Sequence, residues 1–279
     1  LLGWSGGGSL SLFYQAEAEN PTITNTPAGD VVDLTAADLV PADAVMFIAA
    51  HASRALTLTE WMDASVRDEI NPEDRDPELD IYNPNNPNHP PFNSKFLLRY
   101  RNEQIVRNRK ITTWVKEVLA ELKRRDDGEV ERGFVVHRTM ADPRWIDPAV
   151  DPNERKPDWC YLGNPRTVNN GPAGLARFCT LRSWLSQWSY DESRVDGIIS
   201  AQRVSVPFLT LENGADDACP ASHAKMIFDA AASANKEMRV VKGAGHYYKG
   251  QPEKMNEAVS LITNWLERQG LVDTFVSRH

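Results

Sequence analysis

The apolar residues near the two ends of this chain are spaced as in alternating strands and helices. Ala44–Ala50 is a short, continuously apolar run, which is typical of a strand buried on both faces. The chain opens with two leucines, which lead into the Gly/Ser segment Gly3–Gly8 and then into Ser9–Glu19, where the apolar spacing is helical. This part of the chain therefore predicts a strand, a tight turn, a helix and a second strand.

The last third of the chain repeats the alternation. Val204–Leu211 and Met238–Val241 are predicted strands, and each is followed by a segment of helical spacing, Ser222–Ala234 and Glu253–Arg268. Gly270 ends the second helix at its C-cap. Because strands that alternate with helices lie parallel in one sheet, the pattern predicts an α/β fold with a mostly parallel sheet.

The middle of the chain breaks this alternation. Asn71–Asn93 is rich in Pro, Asn and Asp, and Asp142–Pro172 is punctuated by Pro, so both segments are predicted to be irregular. Ser94–Arg125 has the spacing of one or two amphipathic helices. Gly174–Tyr190 has that of a further helix, with Phe178 on its apolar face. We interpret this block as a mainly helical insertion that packs over the sheet.

Composition excludes several classes of function. The 279 residues are 41% hydrophobic and 25% charged, as in soluble globular proteins, and no apolar run approaches the roughly 18 residues of a membrane span. The net charge of −8 argues against a nucleic-acid partner, and glutamates interleave the most basic stretch, Arg99–Arg125. Three cysteines match neither a disulfide framework nor a zinc signature, so we expect a reducing, cytoplasmic compartment and no metal.

One short motif has the features of a nucleophile turn. The segment Gly3-Trp4-Ser5-Gly6-Gly7 fits G-x-S-x-G, in which a strand turns abruptly into a helix and exposes a serine hydroxyl at a strained tip. Its flanking positions are expected to be small because a side chain there would collide with neighbouring elements. The backbone N–H of Gly6 would supply one oxyanion-hole donor at the start of the helix.

Considered alone, the same segment also matches a flexible Gly/Ser linker. The two leucines before it and the helical pattern after it favour the strand–turn–helix interpretation.

Two further candidates follow later strands. Asp216 lies in the loop after the strand Val204–Leu211, and His246 lies in a glycine-containing loop after Met238–Val241. Taken singly, such an acid is commonly a loop residue that caps the next helix, and such a histidine commonly packs against neighbouring aromatic residues. However, the carboxyl ends of parallel strands meet at one edge of a sheet, where the active sites of open α/β sheets form.

The order Ser5, Asp216, His246, with each residue after a predicted strand and before a helix, resembles the α/β-hydrolase superfamily. The similarity lies in the flanks of Ser5 and throughout Val204–Arg268, where the acid loop and the histidine loop resemble those of esterase-like members. The resemblance implies that Ser5 is the nucleophile, that His246 is the general base and then the general acid, and that Asp216 orients His246.

The resemblance also implies a reaction class. It favours hydrolysis of a carboxylic ester, lactone or thioester through an acyl-enzyme, with no cofactor. An amide or carbon–carbon bond hydrolase would use the same three residues, and a non-catalytic ligand-binding protein of this fold is a further alternative.

Other residues compete for the same roles. Asp217 is adjacent to Asp216, which we prefer because its spacing to the following proline fits the family pattern better. His223 also follows Asp216, but it lies in a predicted helix and has no strand that would bring it over Ser5. His51, at the end of the second strand, is a candidate for contacting the substrate, although packing is the preferred role.

The resemblance assigns residues 1–51 and 200–279 to the hydrolase core and residues 52–199 to a cap over the active site. An aromatic-rich cap favours an apolar or aromatic-bearing small-molecule substrate, but the alternative that its tryptophans form the cap's own core is preferred. These residues are Trp61, Trp114, Trp145, Trp159, Trp184 and Trp188.

The position of the nucleophile turn departs from the family pattern. A complete α/β-hydrolase has several strands before this turn, whereas here the turn begins at Gly3. We therefore expect the chain to be N-terminally truncated and to expose an apolar sheet edge.

Overall fold

Strands and helices alternate at the two ends of the chain, as the sequence predicts. The structure is a computed structural model that describes residues 1–272. The strands are β1 (Leu2–Ser5), β2 (Val45–Ala50), β3 (Gly133–Val135), β4 (Phe178–Thr180), β5 (Phe208–Asn213) and β6 (Lys236–Val241). The helices are α1 (Gly7–Glu19), α2 (Arg54–Trp61), α3 (Ser94–Arg125), α4 (Pro165–Asn170), α5 (Leu181–Ser183), α6 (Gly197–Ala201), α7 (Ala221–Ala230) and α8 (Pro252–Arg268). Short 3₁₀ turns lie at Leu34–Ala36 and Pro143–Trp145, and a π-helical turn lies at Trp184–Trp188.

The main sheet has four strands in the order β1-β2-β5-β6, and each neighbouring pair is parallel. All four strands come from residues 1–51 and 200–279. The predicted fold class, α/β with a parallel sheet, is therefore confirmed. Because the strands are parallel, the loops that follow β1, β5 and β6 emerge at the same edge of the sheet.

Helices cover both faces of this sheet. Val45 and Phe47 of β2 point to one face, where they pack with residues of α1, α6 and α7. Met46 and Ile48 point to the opposite face, where they pack with Trp265 of α8. Two-sided burial explains why the run Ala44–Ala50 is continuously apolar, since each fully buried large side chain contributes about 1.5–3 kcal/mol of stabilisation.

Two predicted strands differ from the observed ones at their boundaries. The strand predicted at Val204–Leu211 begins instead at Phe208, because Pro207 has no N–H for a ladder hydrogen bond. This strand extends to Asn213, which pairs with Val241 of β6. The strand predicted at Met238–Val241 begins two residues earlier.

The middle of the chain packs around one long helix. The segment predicted as one or two helices is the single helix α3, whose Ile111, Val115 and Leu122 pack against Leu181 and Trp184. No helix or strand lies within 71–93, as predicted. Asp142–Pro172, predicted to be irregular, contains one 3₁₀ turn and the short helix α4. Within residues 1–272, no helix is both long enough and apolar enough to cross a lipid bilayer.

The helix predicted over Gly174–Tyr190 is wrong in its first part. Phe178 lies on β4, which pairs antiparallel with β3, and 69% of its surface is exposed. Helical structure begins only after Thr180, because the side chains of Thr180 and Ser183 bond reciprocally to each other's backbone N–H groups in a capping box.

The turn between β1 and α1 needs glycine at positions that differ partly from the motif. A Cβ on Gly3 would lie 2.6 Å from the carbonyl oxygen of Gly7, and one on Gly8 would lie 2.4 Å from Cβ of Ala50. A Cβ on Gly7 would meet nothing within 4 Å. The expectation that both flanks of the motif exclude a side chain therefore holds at Gly3 and is wrong at Gly7. The steric requirement lies instead at Gly8, where α1 crosses β2.

This difference predicts opposite effects of two adjacent substitutions. Gly8→Ala should lower the free energy of unfolding by about 1–3 kcal/mol, because the added methyl group overlaps β2. Gly7→Ala should leave it unchanged or raise it by about 0.4–1 kcal/mol, since alanine restricts the unfolded chain. Urea denaturation of both variants measures the difference, and equal destabilisation by the two would contradict the packing described here.

Candidate active site

Ser5 is the last residue of β1 and is held in an unusual backbone conformation. Its φ is +52°, in the left-handed region, which costs a residue with a side chain about 1–2 kcal/mol. The register between β1 and β2 shifts between Trp4 and Ser5, so the ladder breaks at this point. Helix α1 begins only two residues later, at Gly7. The structure therefore places Ser5 on the sharp strand-to-helix turn that the motif predicts.

The structure brings Ser5, His246 and Asp216 together at one edge of the sheet. The hydroxyl Oγ of Ser5 lies 3.1 Å from Nε2 of His246. The other ring nitrogen, Nδ1, lies 3.0 Å from Oδ2 of Asp216. His246 and Asp216 are buried, and Ser5 is partly exposed. The three residues thus form a continuous hydrogen-bonded chain that ends at an accessible hydroxyl.

Backbone groups fix the carboxylate of Asp216. Its Oδ1 accepts hydrogen bonds from the N–H groups of Ala218 at 2.8 Å and Cys219 at 2.7 Å, which leaves Oδ2 for the histidine. An ionised carboxylate only accepts hydrogen bonds, so Nδ1 of His246 carries the proton. Nε2 is then the unprotonated nitrogen and accepts from the Ser5 hydroxyl.

The loop that carries His246 is held by residues that the sequence patterns did not single out. Asn213, at the end of β5, donates from Nδ2 to the carbonyl oxygen of Gly245 at 3.0 Å. Its Oδ1 accepts a hydrogen bond of 2.6 Å from the Tyr248 hydroxyl. The ring of Trp4 stands edge-on to His246, with centroids 6.2 Å apart. The sequence feature that could have identified Asn213 as a site residue is that it is a polar residue at the end of a strand, β5.

The rival acid and the rival histidine lie elsewhere. The backbone carbonyl of Asp217 accepts from the indole of Trp145 at 2.9 Å, and burial together with the charge of Asp216 raises the pKa of its carboxyl to about 6. Nδ1 of His223 accepts from the Ala52 N–H at 3.3 Å, and its Nε2 faces Glu60 at 3.5 Å. Asp216 therefore meets His246, while His223 does not contact Ser5.

His51 both packs in the core and lines the site. Its ring is edge-on to Trp61, with centroids 5.5 Å apart, and its Nε2 lies 3.4 Å from Sγ of Cys219. Burial, followed by the charges of His223 and His246, holds the pKa of His51 well below its usual value. His51 is therefore neutral at physiological pH.

Asp216, Cys219 and His246 also place potential metal-ligand atoms within 4.8 Å of one another. Their contacts already account for this arrangement, because both oxygens of Asp216 and Nδ1 of His246 are used in hydrogen bonds. Burial raises the pKa of the Cys219 thiol, whereas metal binding requires the thiolate. The geometry therefore fits a hydrogen-bond network better than a metal centre.

A cavity of about 290 Å³ opens at Ser5. Most of its wall is aromatic or apolar, and a few polar side chains face the interior. Its lining is Ser5, Gly6, His51, Arg54, Thr57, Trp61, Tyr161, Leu175, Trp188, Ala218, His246 and Tyr247. About half of the lining residues, including Trp61, Tyr161 and Trp188, therefore come from residues 52–199.

The six tryptophans of the middle block have different environments. Trp61 and Trp188 line the cavity. Trp145 packs on Trp61 with ring centroids 5.0 Å apart, and Trp184 is buried in the core around α3. Trp114 is 40% exposed, and Trp159 is 41% exposed. Two of the six tryptophans therefore line the cavity, and two others pack in the interior.

Comparison with known proteins finds likeness at the level of structure alone. No protein-family model and no curated protein matches the chain. A monoacylglycerol lipase of Paleococcus ferrophilus is 15% identical, with a TM-score of 0.40, and the match covers 95% of this chain and 66% of that one. A protein of Mycobacterium tuberculosis H37Rv described as a non-heme bromoperoxidase is 12% identical, with a TM-score of 0.34 and coverages of 95% and 66%.

An α/β fold family hydrolase of Bacillus anthracis str. Sterne is 16% identical, with a TM-score of 0.34, and the match covers 93% of this chain and 65% of that one. The chain thus spans just under two thirds of the length of each of these solved structures. At this level of identity the likeness carries no information on reaction or substrate.

Proposed function

We propose that this protein is a serine hydrolase that cleaves a carboxylic ester, lactone or thioester through an acyl-enzyme. The observation that carries the proposal is the hydrogen-bonded chain from Ser5 Oγ through His246 to Asp216, with distances of 3.1 and 3.0 Å. A serine hydroxyl is a weak nucleophile by itself, and an adjacent base that is oriented by a third group is the usual means of activating it.

In the first half of the reaction, Ser5 Oγ attacks the substrate carbonyl carbon as Nε2 of His246 takes the hydroxyl proton. The buried carboxylate of Asp216 stabilises the imidazolium that forms. His246 then returns this proton to the leaving group as its bond to the carbonyl carbon breaks. Water repeats the sequence on the acyl-enzyme, which releases the acid and regenerates Ser5.

The backbone N–H of Gly6 is the proposed donor to the tetrahedral oxyanion. Gly6 is the N-cap of α1, and N–H groups at a helix N-terminus have no acceptor within the helix. The positive end of the helix dipole favours negative charge at the same place. One such donor typically contributes about 10²–10³-fold to kcat.

The cavity supports a small substrate with an aromatic or apolar part. Its volume of about 290 Å³ is at the lower end for ligand sites, and Trp61, Tyr161 and Trp188 supply flat apolar surface. We therefore propose a compact ester whose ring or alkyl group rests against these side chains.

Active-site labelling tests the nucleophile. A fluorophosphonate should react with one serine per chain, and peptide mass spectrometry should locate the adduct on Ser5, because His246 increases the nucleophilicity of that hydroxyl alone. Ser5→Ala should abolish the label, whereas Ser205→Ala, which alters an exposed serine, should leave it unchanged. Labelling of the Ser5→Ala variant at the wild-type level would overturn the assignment.

Paired substitutions test the acid. Asp216→Asn should lower kcat for 4-nitrophenyl acetate by about 10⁴-fold, because the amide no longer favours the tautomer with the proton on Nδ1. Asp217→Asn makes the same chemical change one residue away and should leave kcat nearly unchanged, since the carboxylate that bonds His246 is that of Asp216. Equal losses in the two variants would contradict the proposed roles.

A further inference from the structure

Arg54 places a guanidinium group in the same cavity as Ser5 and His246. It is the first residue of α2, and its side chain is half-buried. Its Nε donates a 2.8 Å hydrogen bond to the carbonyl oxygen of Gly6, the residue that follows Ser5. The group is thus fixed one peptide unit from the proposed nucleophile.

Among residues 1–272, this guanidinium contacts only neutral groups. Besides the Gly6 carbonyl, Nη1 donates to Oε1 of Gln187 at 2.6 Å, and the guanidinium carbon lies 5.9 Å from the ring centroid of Trp188. These two hydrogen bonds use two of the five N–H donors of an arginine. Within residues 1–272, Nη2 has no hydrogen-bond acceptor.

The charge of Arg54 is also unbalanced within the described part of the chain. Burial lowers the pKa of Arg54, and no carboxylate opposes that shift. Arg107 is paired with Glu69 and Arg144 with Asp142, whereas the half-buried Arg177, which lies outside this cavity, also has no carboxylate partner within residues 1–272. A cation that is partly removed from water without a counter-charge is costly, so its retention in a ligand cavity indicates that the ligand supplies the anion.

We propose that Arg54 binds a carboxylate on the substrate, so that the site cleaves esters carrying one free carboxylate next to an aromatic or apolar group. This inference rests on the proposed function for the reaction and adds the substrate class. A planar guanidinium forms parallel hydrogen bonds with a carboxylate, and the ring of Trp188 offers an apolar surface beside it.

The charges that line the cavity favour a monoanion. Arg54 is the one arginine or lysine among the lining residues, and burial keeps His51 neutral. A single fixed positive charge balances a carboxylate but leaves half the charge of a phosphate dianion unpaired.

The site for this carboxylate is separate from the proposed oxyanion site. Gly6 has helical backbone angles, φ −62° and ψ −10°, and in a helical residue the N–H and the C=O point in opposite directions along the axis. Arg54 contacts the C=O side, whereas the oxyanion would bind on the N–H side. Arg54 is therefore placed to recognise a group of the substrate other than the reacting carbonyl.

Pairs of esters that differ only in charge test this assignment. For the leaving group, 4-acetoxybenzoate is compared with 4-acetoxybenzamide. For the acyl group, the mono-4-nitrophenyl ester of suberic acid is compared with its terminal amide. The measured quantity is the kcat/KM of the anionic ester divided by that of its neutral partner, because a general loss of folding or chemistry cancels in this ratio.

The ratio should fall about 10- to 100-fold in Arg54→Gln for at least one pair, which is the usual effect of losing a hydrogen bond to a charged group. Arg109→Gln is the matched control, since Arg109 is exposed and pairs with Asp191, and its ratio should equal that of the wild type. An unchanged ratio in Arg54→Gln for both pairs, including an equal loss of both rates, would overturn the proposal, because Arg54 would then act on the reacting carbonyl or on the fold.

Binding without turnover separates this inference from the proposed function. Calorimetry with Ser5→Ala should show tighter binding of 4-phenylbutyrate than of 4-phenylbutyramide, and adding Arg54→Gln should remove the difference. If the wild type cleaves no ester but Ser5→Ala still prefers the carboxylate, the proposed ester hydrolysis is wrong and the proposed carboxylate site at Arg54 is supported. If Ser5→Ala does not favour the carboxylate, or if the preference survives Arg54→Gln, the carboxylate site is wrong.

Discussion

The hydrogen bond between Nδ1 of His246 and the carboxylate of Asp216 joins two loops that follow neighbouring parallel strands. Its geometry depends on the continuous pairing of β5 with β6, which ends at Asn213 and Val241. The backbone N–H groups of Ala218 and Cys219 hold one carboxylate oxygen, so the other can face only the imidazole. Nε2 of His246 is therefore the ring nitrogen that faces the Ser5 hydroxyl. The proposed chemistry requires Nε2 to take the proton of that hydroxyl.

The strained backbone of Ser5 is maintained by packing around it. A left-handed φ at a serine is unfavourable by about 1–2 kcal/mol, and burial of Leu12 and Phe47 between α1 and β2 offsets this cost. Gly8 permits the close approach of α1 to β2 that this burial requires. The position of the Ser5 hydroxyl at the cavity thus depends on the same packing that forms one half of the core.

The features of the fold that depend on local sequence patterns could be predicted from the sequence. Apolar runs and helical spacing identified the parallel sheet, and the ends of the predicted strands singled out Ser5, Asp216 and His246, which the structure brings into hydrogen-bond contact. Contacts between distant segments were beyond this reasoning. The apolar spacing predicted Phe178 on a helix, but the capping box at Thr180 begins α5 only after this residue. Arg54 gave no signal, because its unbalanced charge emerges only when α2 meets the turn after β1 and the π-helical turn.

In the proposed hydrolytic reaction, Ser5 and His246 act as one unit. The most direct measurement compares kcat/KM for a 4-nitrophenyl ester among Ser5→Ala, His246→Ala and the double variant. Groups that act together are strongly non-additive, so the double variant should be no slower than the slower single variant. If the two losses multiply instead, Ser5 and His246 act independently and do not form one catalytic unit.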